Sequence, residues 1–378
     1  MSGKRSIFEE VSSDTPKQTA PKGGLIDKGH SGARGAVAVW LLVLFALVFL
    51  MIVVGGLTRL TDSGLSITEW ALIKGAVPPT NDYAWTMAFD KYKGSPEFNL
   101  QNADMTLGEF KSIFWWEWGH RQLGRFVGLV WAVGFLFFAA TKRIPNGWGP
   151  RLLFIGFLGG LQGAIGWWMV SSGLTGRMVD VASYRLAIHL GLAFLILGTI
   201  AWYVWLLRRK DAELLQARRQ ADAGLARLGK ILLVLAFAQV LLGALVAGID
   251  AGRGYIDWPM MNGDFLPPES FDSTPLWTNF FENPALVQFN HRILGYIVFI
   301  AALFVWFKSR ASALNLIKRT FSLMMVAVLG QVALGISTVL YAAPWHIAIV
   351  HQIGAVVLIL LMLRAVFAAT YPKVQTLR

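Results

Sequence analysis

Eight stretches of about 20 apolar residues run through this 378-residue chain. The hydrocarbon core of a bilayer is about 30 Å thick, so a helix needs roughly 20 apolar residues to cross it. The chain is 55% hydrophobic with a mean hydropathy of +0.54, which is too apolar for an ordinary soluble domain. The stretches are 36–57, 118–141, 152–174, 186–207, 231–249, 285–307, 321–343 and 347–363. The sequence therefore predicts an all-α membrane protein with eight transmembrane helices.

The basic residues predict the topology. The chain has 34 Lys and Arg against 22 Asp and Glu. The basic residues concentrate near both termini and in the segments 142–151, 208–230 and 308–319. By the positive-inside rule these segments and both termini are cytoplasmic, as expected in a bacterial inner membrane. The external segments are then 58–117, 174–185, 250–284 and a turn at Pro344. This placement explains the positive charge without a nucleic-acid partner.

The chain is also internally duplicated. A shift of 188 residues aligns Gly55, Asp62 and Trp70 with Gly243, Asp250 and Trp258. A shift of 171 aligns His120-Arg121 with His291-Arg292, and a shift of 169 aligns Gln162 and Gly166 with Gln331 and Gly335. Such collinear matches predict two pseudo-symmetric four-helix bundles of the same orientation. The predicted division is a flexible cytoplasmic tail at 1–35, an N-terminal bundle at 36–207, a cytoplasmic linker at 208–230 with a short surface helix, a C-terminal bundle at 231–370 and a tail at 371–378.

Four of the six histidines occupy equivalent places. His120, His189, His291 and His351 each lie near the external end of an even-numbered transmembrane stretch. Even-numbered helices within one half are parallel, so two imidazoles at one depth can approach a common iron, as in haem-binding bundles. The pattern predicts two haem-sized sites, one in each half. It leaves open whether His120 pairs with His189 or faces His291 across the halves. His346 is expected at the interface and His30 in the solvated tail.

Zinc is the alternative metal, but zinc sites usually draw ligands from short spacings, and only His346 and His351 are close in sequence. The chain has no cysteine, which excludes disulfides, thiolate ligands, iron–sulfur clusters and covalent c-type haem. No nucleotide-binding loop or nucleophile motif stands at a credible place.

Features around the histidines favour a large planar ligand. Gly124 and Gly295 lie one helical turn beyond a histidine and are expected to clear volume. Arg121, Arg125 and Arg292 are expected at the external rim, where they pair with haem propionates or reach lipid phosphates.

The two halves differ in an ionisable residue beside the first histidine of each. Glu117 precedes His120 by three residues, whereas Gln288 precedes His291 by three. A carboxylate beside an apolar site can exchange protons with a reacting group, and an amide cannot. This asymmetry predicts that the reaction takes place in the N-terminal half and that the C-terminal half only transfers electrons. The alternative is that Glu117 merely pairs with Arg121 at i, i+4. The external segments after Asp62 and Asp250 share turn residues and a tryptophan, and are expected to cover the two sites.

Four segments together resemble the haem A synthase family in its alphaproteobacterial and mitochondrial form, over roughly residues 36–370. They are GGLTRLTDSGLS at 55–66, EWGHR at 117–121, QGAIGWWMV at 162–170 and FNHRILGY at 289–296. The resemblance implies an enzyme that oxidises the C8 methyl of haem O, through successive hydroxylations and loss of water, to the formyl group of haem A for cytochrome oxidase.

The resemblance also implies roles for individual residues. His120 and His189, with Arg121 beside them, would bind the iron of substrate haem O, and Glu117 would act at the methyl group. The second pair, His291 and His351 with Arg292 nearby, would ligate a non-covalent bis-histidine haem b.

The implied partners are the lipid bilayer, a haem O synthase (protohaem farnesyltransferase) as substrate donor, an electron donor that the sequence does not identify, and other copies of the chain in a homo-oligomer. Many bacterial relatives carry a cysteine pair in an external loop. This chain has none, so thiol-based electron delivery is not expected.

Two other functions fit the residues alone. A di-haem cytochrome b-like quinol oxidoreductase would use all four histidines for permanent haems. A haem carrier or assembly factor would use them to deliver haem outward. Extraction of pigment distinguishes the oxidoreductase from a haem A synthase, because only the synthase should contain haem O, its hydroxylated form or haem A. Turnover of haem O by purified protein would exclude a carrier as the sole function.

Overall fold

Long apolar segments form helices in a membrane, because a helix satisfies its own backbone hydrogen bonds where water is absent. The computed structural model describes residues 33–175 and 179–373, and within these ranges it contains helices and no β-strand. The α-helices are α1 (Ala33–Leu60), α2 (Asp82–Lys93), α3 (Pro96–Gln101), α4 (Leu107–Ala140), α5 (Gly149–Gly173), α6 (Ser183–Leu207), α7 (Asp211–Arg219), α8 (Ala223–Gly248), α9 (Asn279–Glu282), α10 (Pro284–Ser309), α11 (Asn315–Leu340) and α12 (Trp345–Thr370).

Eight of these helices are long and apolar enough to cross a membrane, namely α1, α4, α5, α6, α8, α10, α11 and α12. Each includes all or nearly all of one predicted stretch, so the all-α membrane class is confirmed. Helix α7 is the short helix expected in the linker. The predicted tail at 1–35, apart from its last three residues, lies outside the described residues, as do His30 and 374–378.

Helix α4 differs from its prediction, because it begins at Leu107 rather than near 118. Its start is a capping box: Thr106 Oγ1 accepts from the Glu109 amide, and the Glu109 carboxylate accepts from the Thr106 amide at 2.8 Å. With 34 residues the helix is about 50 Å long, so it extends beyond the hydrocarbon core. His120 is consequently the fourteenth residue of α4 and not among its first few.

The external extension of α4 carries a small apolar core. Phe110 and Phe114 pack against Trp85, Phe89 and Tyr92 of α2, and all five side chains are buried. Stacked and edge-on ring pairs at centroid distances of 5.0–5.3 Å hold this cluster together. Segment 61–106 is therefore a folded cover over the N-terminal half.

The transmembrane helices contact one another in the same cyclic order in each half. In the first half α1 and α5 both pack against α4 and α6, and in the second half α8 and α11 both pack against α10 and α12. The halves meet mainly where α6 packs against α8 and α1 against α12. This is the packing that a duplicated four-helix unit would produce, and one continuous apolar core spans both halves.

An ion network joins the halves at the end of the helices that the basic residues predict to be external. Arg59, at the end of α1, contacts Asp62 at 2.8 Å and the repeat-equivalent Asp250 at 3.0 Å. Asp180, from the segment between α5 and α6, lies 3.6 Å from the same guanidinium. Both Asp62 and Asp250 have left-handed backbones, with φ of 48° and 50°, as is tolerated by aspartate in the turns predicted there.

Candidate functional site

Each of the four predicted histidines lies against a glycine of the neighbouring helix. A methyl carbon placed on that glycine would lie 2.9–3.2 Å from the imidazole Cε1, closer than ordinary van der Waals contact. The pairs are Gly55 with His120, Gly166 with His189, Gly243 with His291, and Gly335 with His351. The imidazoles therefore occupy space that any side chain at these positions would fill.

Three of the histidines are also held by a glutamine one helical turn before that glycine. The amide Nε2 of Gln162, Gln239 and Gln331 donates to the backbone carbonyl of His189, His291 and His351 at 3.0, 2.9 and 3.1 Å. For His189 and His291 the same nitrogen also lies 3.2 and 3.1 Å from the ring Nδ1. These three residues are thus positioned by both backbone and packing.

Each half holds two of the imidazoles, on α4 and α6 in the first half and on α10 and α12 in the second. In each half the two histidines lie on helices that sit on opposite sides of the ring of four. This arrangement favours pairing within a half over the alternative of His120 facing His291.

The four imidazoles fit a bis-histidine haem better than zinc. The Nδ1 atoms of His120 and His351 are buried without a hydrogen-bond partner, as suits rings whose other contacts a ligand would complete. Glycines on the neighbouring helices leave room for the rings themselves. Over residues 33–175 and 179–373, no three His, Cys, Asp or Glu side chains cluster closely enough to hold a metal ion. His346 is exposed and packs edge-on against Trp345, in agreement with an interfacial position.

Glu117 is buried, with 3% of its surface exposed, and it is fully hydrogen-bonded. Its Oε2 accepts from the Ser66 hydroxyl and from the Ile67 amide, both at 2.7 Å. Its Oε1 accepts from Arg121 Nε at 3.1 Å and Nη2 at 2.6 Å. The ion pair with Arg121 that the sequence spacing allowed is therefore present. Glu117 also ties α4 to the external cover.

The equivalent position in the second half carries no charge. Gln288 is 2% exposed, and its Nε2 donates to the Tyr255 carbonyl at 3.1 Å, while its Oε1 has no partner. Tyr255 is the repeat equivalent of Ile67, since the two differ by 188 residues. In each half, the helix with the first histidine is thus joined to the loop that follows the preceding transmembrane helix. A carboxylate makes this contact in the first half and an amide makes it in the second.

The rim arginines bind the first cover, 61–106, and the equivalent segment of the second half, 249–283. Arg121 donates to the carbonyls of Ile67 and Glu69 at 2.8 and 2.9 Å. Arg292 donates to the equivalent carbonyls of Tyr255 and Asp257 at 2.9 and 3.0 Å. Arg125 holds the carbonyls of Ala71 and Leu72, both at 2.9 Å. Contact with haem propionates or with lipid phosphates remains a prediction for these residues.

A small cavity of about 50 Å³ lies between α4 and the first cover. Its lining includes Ile67, Glu69, Trp118, Arg121 and Arg125. This is room for a few water molecules and far less than a macrocycle needs. Water in this cavity would contact the Arg121 guanidinium, which pairs with Glu117. The water and the guanidinium would then link the carboxylate to the side predicted to be external.

The glycines that seat the histidines were not predicted from the sequence. Gly124 and Gly295 were expected to clear volume for a large ligand, and that remains a prediction. A methyl carbon on Gly124 would lie 3.6 Å from Met51 Cε, and one on Gly295 would lie 3.3 Å from Gln239 Nε2. The signal was present, because the repeat alignment had matched Gly55 with Gly243 and Gly166 with Gly335. It had also matched Gln162 with Gln331.

The fold and the site define a polytopic membrane protein with four half-buried histidines in two repeat-related pairs, one of which has a carboxylate beside it. The chain matches the COX15-CtaA family model, described as cytochrome oxidase assembly protein, over residues 38–363.

Among similar proteins, the heme A synthase of Dinoroseobacter shibae is 61% identical over 100% of this chain and 99% of its own length. The heme A synthase of Paracoccus denitrificans is 58% identical over 99% of this chain and 98% of its own, and that of Cereibacter sphaeroides is 56% identical over the same shares. The chain therefore belongs to the haem A synthase family, as its motifs indicated.

Proposed function

We propose that this protein is a haem A synthase, which oxidises the C8 methyl group of haem O to the formyl group of haem A. The observation that carries the proposal is the duplicated pair of seated imidazoles with a buried carboxylate in one copy only. High identity to heme A synthases along the whole chain supports it.

In this proposal His120 and His189 bind the iron of the substrate, haem O. His291 and His351 bind a resident haem b, which is non-covalent because the chain has no cysteine. When bound, haem b supplies a one-electron redox centre close to the substrate. The segments 36–207 and 231–370 are then the substrate half and the cofactor half.

Glu117 handles protons in this scheme. Each hydroxylation of the methyl group by dioxygen takes up two electrons and two protons and releases one water, so protons must reach a site enclosed by apolar helices. A carboxylate can accept a proton, and its contacts with Ser66 and Arg121 connect it toward the water-sized cavity. Gln288 cannot accept one, which assigns the second half a non-reacting role.

The proposal is tested with Glu117→Gln, measured as haem A formed from haem O by purified protein with a reductant and dioxygen. Loss of a general base typically costs 10²–10⁴ in rate, so haem A should fall by about 100-fold or more, while the b-type spectrum persists. The matched control is Glu109→Gln on the same helix, because glutamine also completes a capping box. Normal haem A formation by Glu117→Gln would exclude the catalytic assignment.

A second variant tests the cofactor half. His291→Ala should remove the resident haem and its reduced b-type spectrum, because an imidazole ligand is lost. Retention of that spectrum would contradict the assignment of haem b to His291 and His351.

The near-identical seats of the two histidine pairs also suit a di-haem electron-transfer protein, such as a quinol oxidoreductase. That function predicts two permanent b-type haems. Extraction of pigment from purified protein distinguishes the two, since only a haem A synthase should yield haem O, a hydroxylated form of it, or haem A. Protein that binds haem O but never oxidises it would indicate a carrier.

The protein is a multi-pass membrane protein, and we propose the inner membrane with both termini in the cytoplasm. Haem O carries a long isoprenoid tail, so it would reach the site from the bilayer, supplied by a haem O synthase. Whether homo-oligomers form is tested by crosslinking in native membranes.

A further inference from the structure

A glutamine followed four residues later by a glycine recurs beside the histidines. Gln162 and Gly166, Gln239 and Gly243, and Gln331 and Gly335 are each four residues apart on one helix. In each case the glycine seats the imidazole of the next transmembrane helix, and the glutamine holds that histidine's carbonyl. The unit is therefore a helical hairpin with a glutamine, a glycine and a histidine, and it serves three of the four imidazoles.

The fourth hairpin breaks the pattern at one residue. Gly55 of α1 seats His120, but the residue four positions earlier is Met51 and not glutamine. Met51 lies against α4 in the way that Gln239 lies against α10. A methyl carbon added to Gly124 of α4 would lie 3.6 Å from Met51 Cε, and one added to Gly295 of α10 would lie 3.3 Å from Gln239 Nε2. A thioether cannot donate a hydrogen bond. The His120 carbonyl therefore lacks the glutamine contact that the other three histidines have. Its Nδ1 is buried without a partner, as is that of His351, where Gln331 reaches only the carbonyl.

We propose that Met51 makes His120 the exchangeable ligand, so that haem O can enter and haem A can leave the first site. The glutamine at the equivalent position 239 retains the resident haem. This inference rests on the proposed function, because it assigns a substrate to one half and a cofactor to the other.

The two proposed sites must hold their haems for different lengths of time. A resident cofactor must stay through many turnovers, whereas a substrate must be replaced in each. A glutamine that donates to the histidine carbonyl and touches its ring restrains rotation of that imidazole away from the iron. One net hydrogen bond changes an equilibrium by between about twofold and tenfold. Its absence at His120 alone places the weaker hold in the half that carries Glu117.

The experiment measures haem retention. Full-length protein in nanodiscs, carrying its resident haem b and loaded with haem O, is mixed with excess apomyoglobin, and transfer of each haem is followed by absorbance. Met51→Gln should slow the loss of haem O by between about twofold and tenfold. The reciprocal Gln239→Met should speed the loss of haem b by a similar factor. Leu50→Gln, which adds the same amide one residue earlier on the exposed face of α1, should leave both rates at the wild-type values.

Unchanged haem O loss in Met51→Gln, or unchanged haem b loss in Gln239→Met, would overturn the inference. If Met51→Gln does not accumulate, Gln239→Met still decides the matter. Loss of first-site haem in Met51→Leu would also overturn it, by assigning the thioether to the iron. Wild-type protein that never makes haem A would instead refute the proposed function, and the retention rates would still report on Met51 and Gln239.

Discussion

At the residue scale, one buried acid lies outside the candidate site. Glu97 on α3 is 4% exposed, and its Oε2 has no hydrogen-bond partner. Burial raises the pKa of this carboxyl to about 8, contact with Tyr92 lowers it in part, and the negative charges of Asp180 and Glu117 raise it further. Glu97 is therefore largely neutral at pH 7, and the external cover depends on its remaining so.

The cover should consequently lose stability as the pH rises. The folded form of Glu97 holds its proton to about pH 8, and the unfolded form releases it near 4.5. Its contribution is complete below the unfolded pKa and is lost as the pH rises through the folded one, at up to about 1.4 kcal/mol per unit. Amide protection of residues 82–101, corrected for intrinsic exchange, should fall between pH 5.5 and 8.5.

Glu97→Gln provides the comparison, because an amide keeps the shape of the neutral acid and does not titrate. Protection in this variant should be nearly independent of pH, with α7 in the same sample as an internal reference. Equal pH dependence in wild type and variant would show that Glu97 is not the group responsible.

At the element scale, the helical hairpin is the unit that positions the chemistry. Each hairpin supplies a glycine on its first long helix and a histidine on its second, so the imidazole position depends on close contact between two helices. Gly243 illustrates this: its missing side chain leaves space that the His291 ring occupies. The histidine identifies the possible ligand, and the glycine of the other helix determines where that ligand lies.

Gly243→Ala tests the steric part of this argument. Alanine favours a helix over glycine by about 1 kcal/mol, so helix α8 itself should not weaken. Its Cβ would lie 3.0 Å from His291 Cε1, so the ring must shift. We expect the haem b content per protein, measured as the pyridine haemochrome, to fall several-fold.

Gly330→Ala is the matched control, because a methyl carbon at Gly330 would have no atom within 4 Å. Its haem content should equal that of the wild type. Full haem content in Gly243→Ala would contradict the role of that glycine as a seat.

At the scale of the whole molecule, the two halves are joined at the external surface and within the membrane. Arg59 contacts acids from both halves, and Gln352 of α12 donates to the Ile52 carbonyl of α1 at 2.8 Å. Gln352 follows His351 and Ile52 follows Met51 in the sequence, so this contact joins the helices of the two proposed haem sites one residue from each site.

The absence of cysteine makes the topology directly testable. Lys74 and Arg218 are both exposed, the first in the external cover and the second in the linker helix α7. In intact spheroplasts a membrane-impermeant maleimide should label Lys74→Cys. It should label Arg218→Cys only after permeabilisation. The reverse pattern would invert the orientation derived from the basic residues.

Much of the fold and part of the site followed from local sequence. The eight spans, the short linker helix and the four histidines were predicted, because each depends on residues within about 20 positions. The external start of α4 was not, although Thr106 and Glu109 form a capping box in the sequence. An apolar run marks where a helix crosses the membrane, and it does not mark how far that helix continues into water.

The sequence by itself determined the membrane class, the number of spans and the single acid that separates Glu117 from Gln288. Those features depend on composition and repeat position, and a bilayer permits few structures for such a chain. Only the tertiary structure decided which glycines seat the imidazoles, that the rim arginines hold loop carbonyls, and that Met51 stands where three other hairpins have glutamine. These depend on which faces of two helices meet, and helices of similar hydrophobicity can meet on several faces until packing selects one.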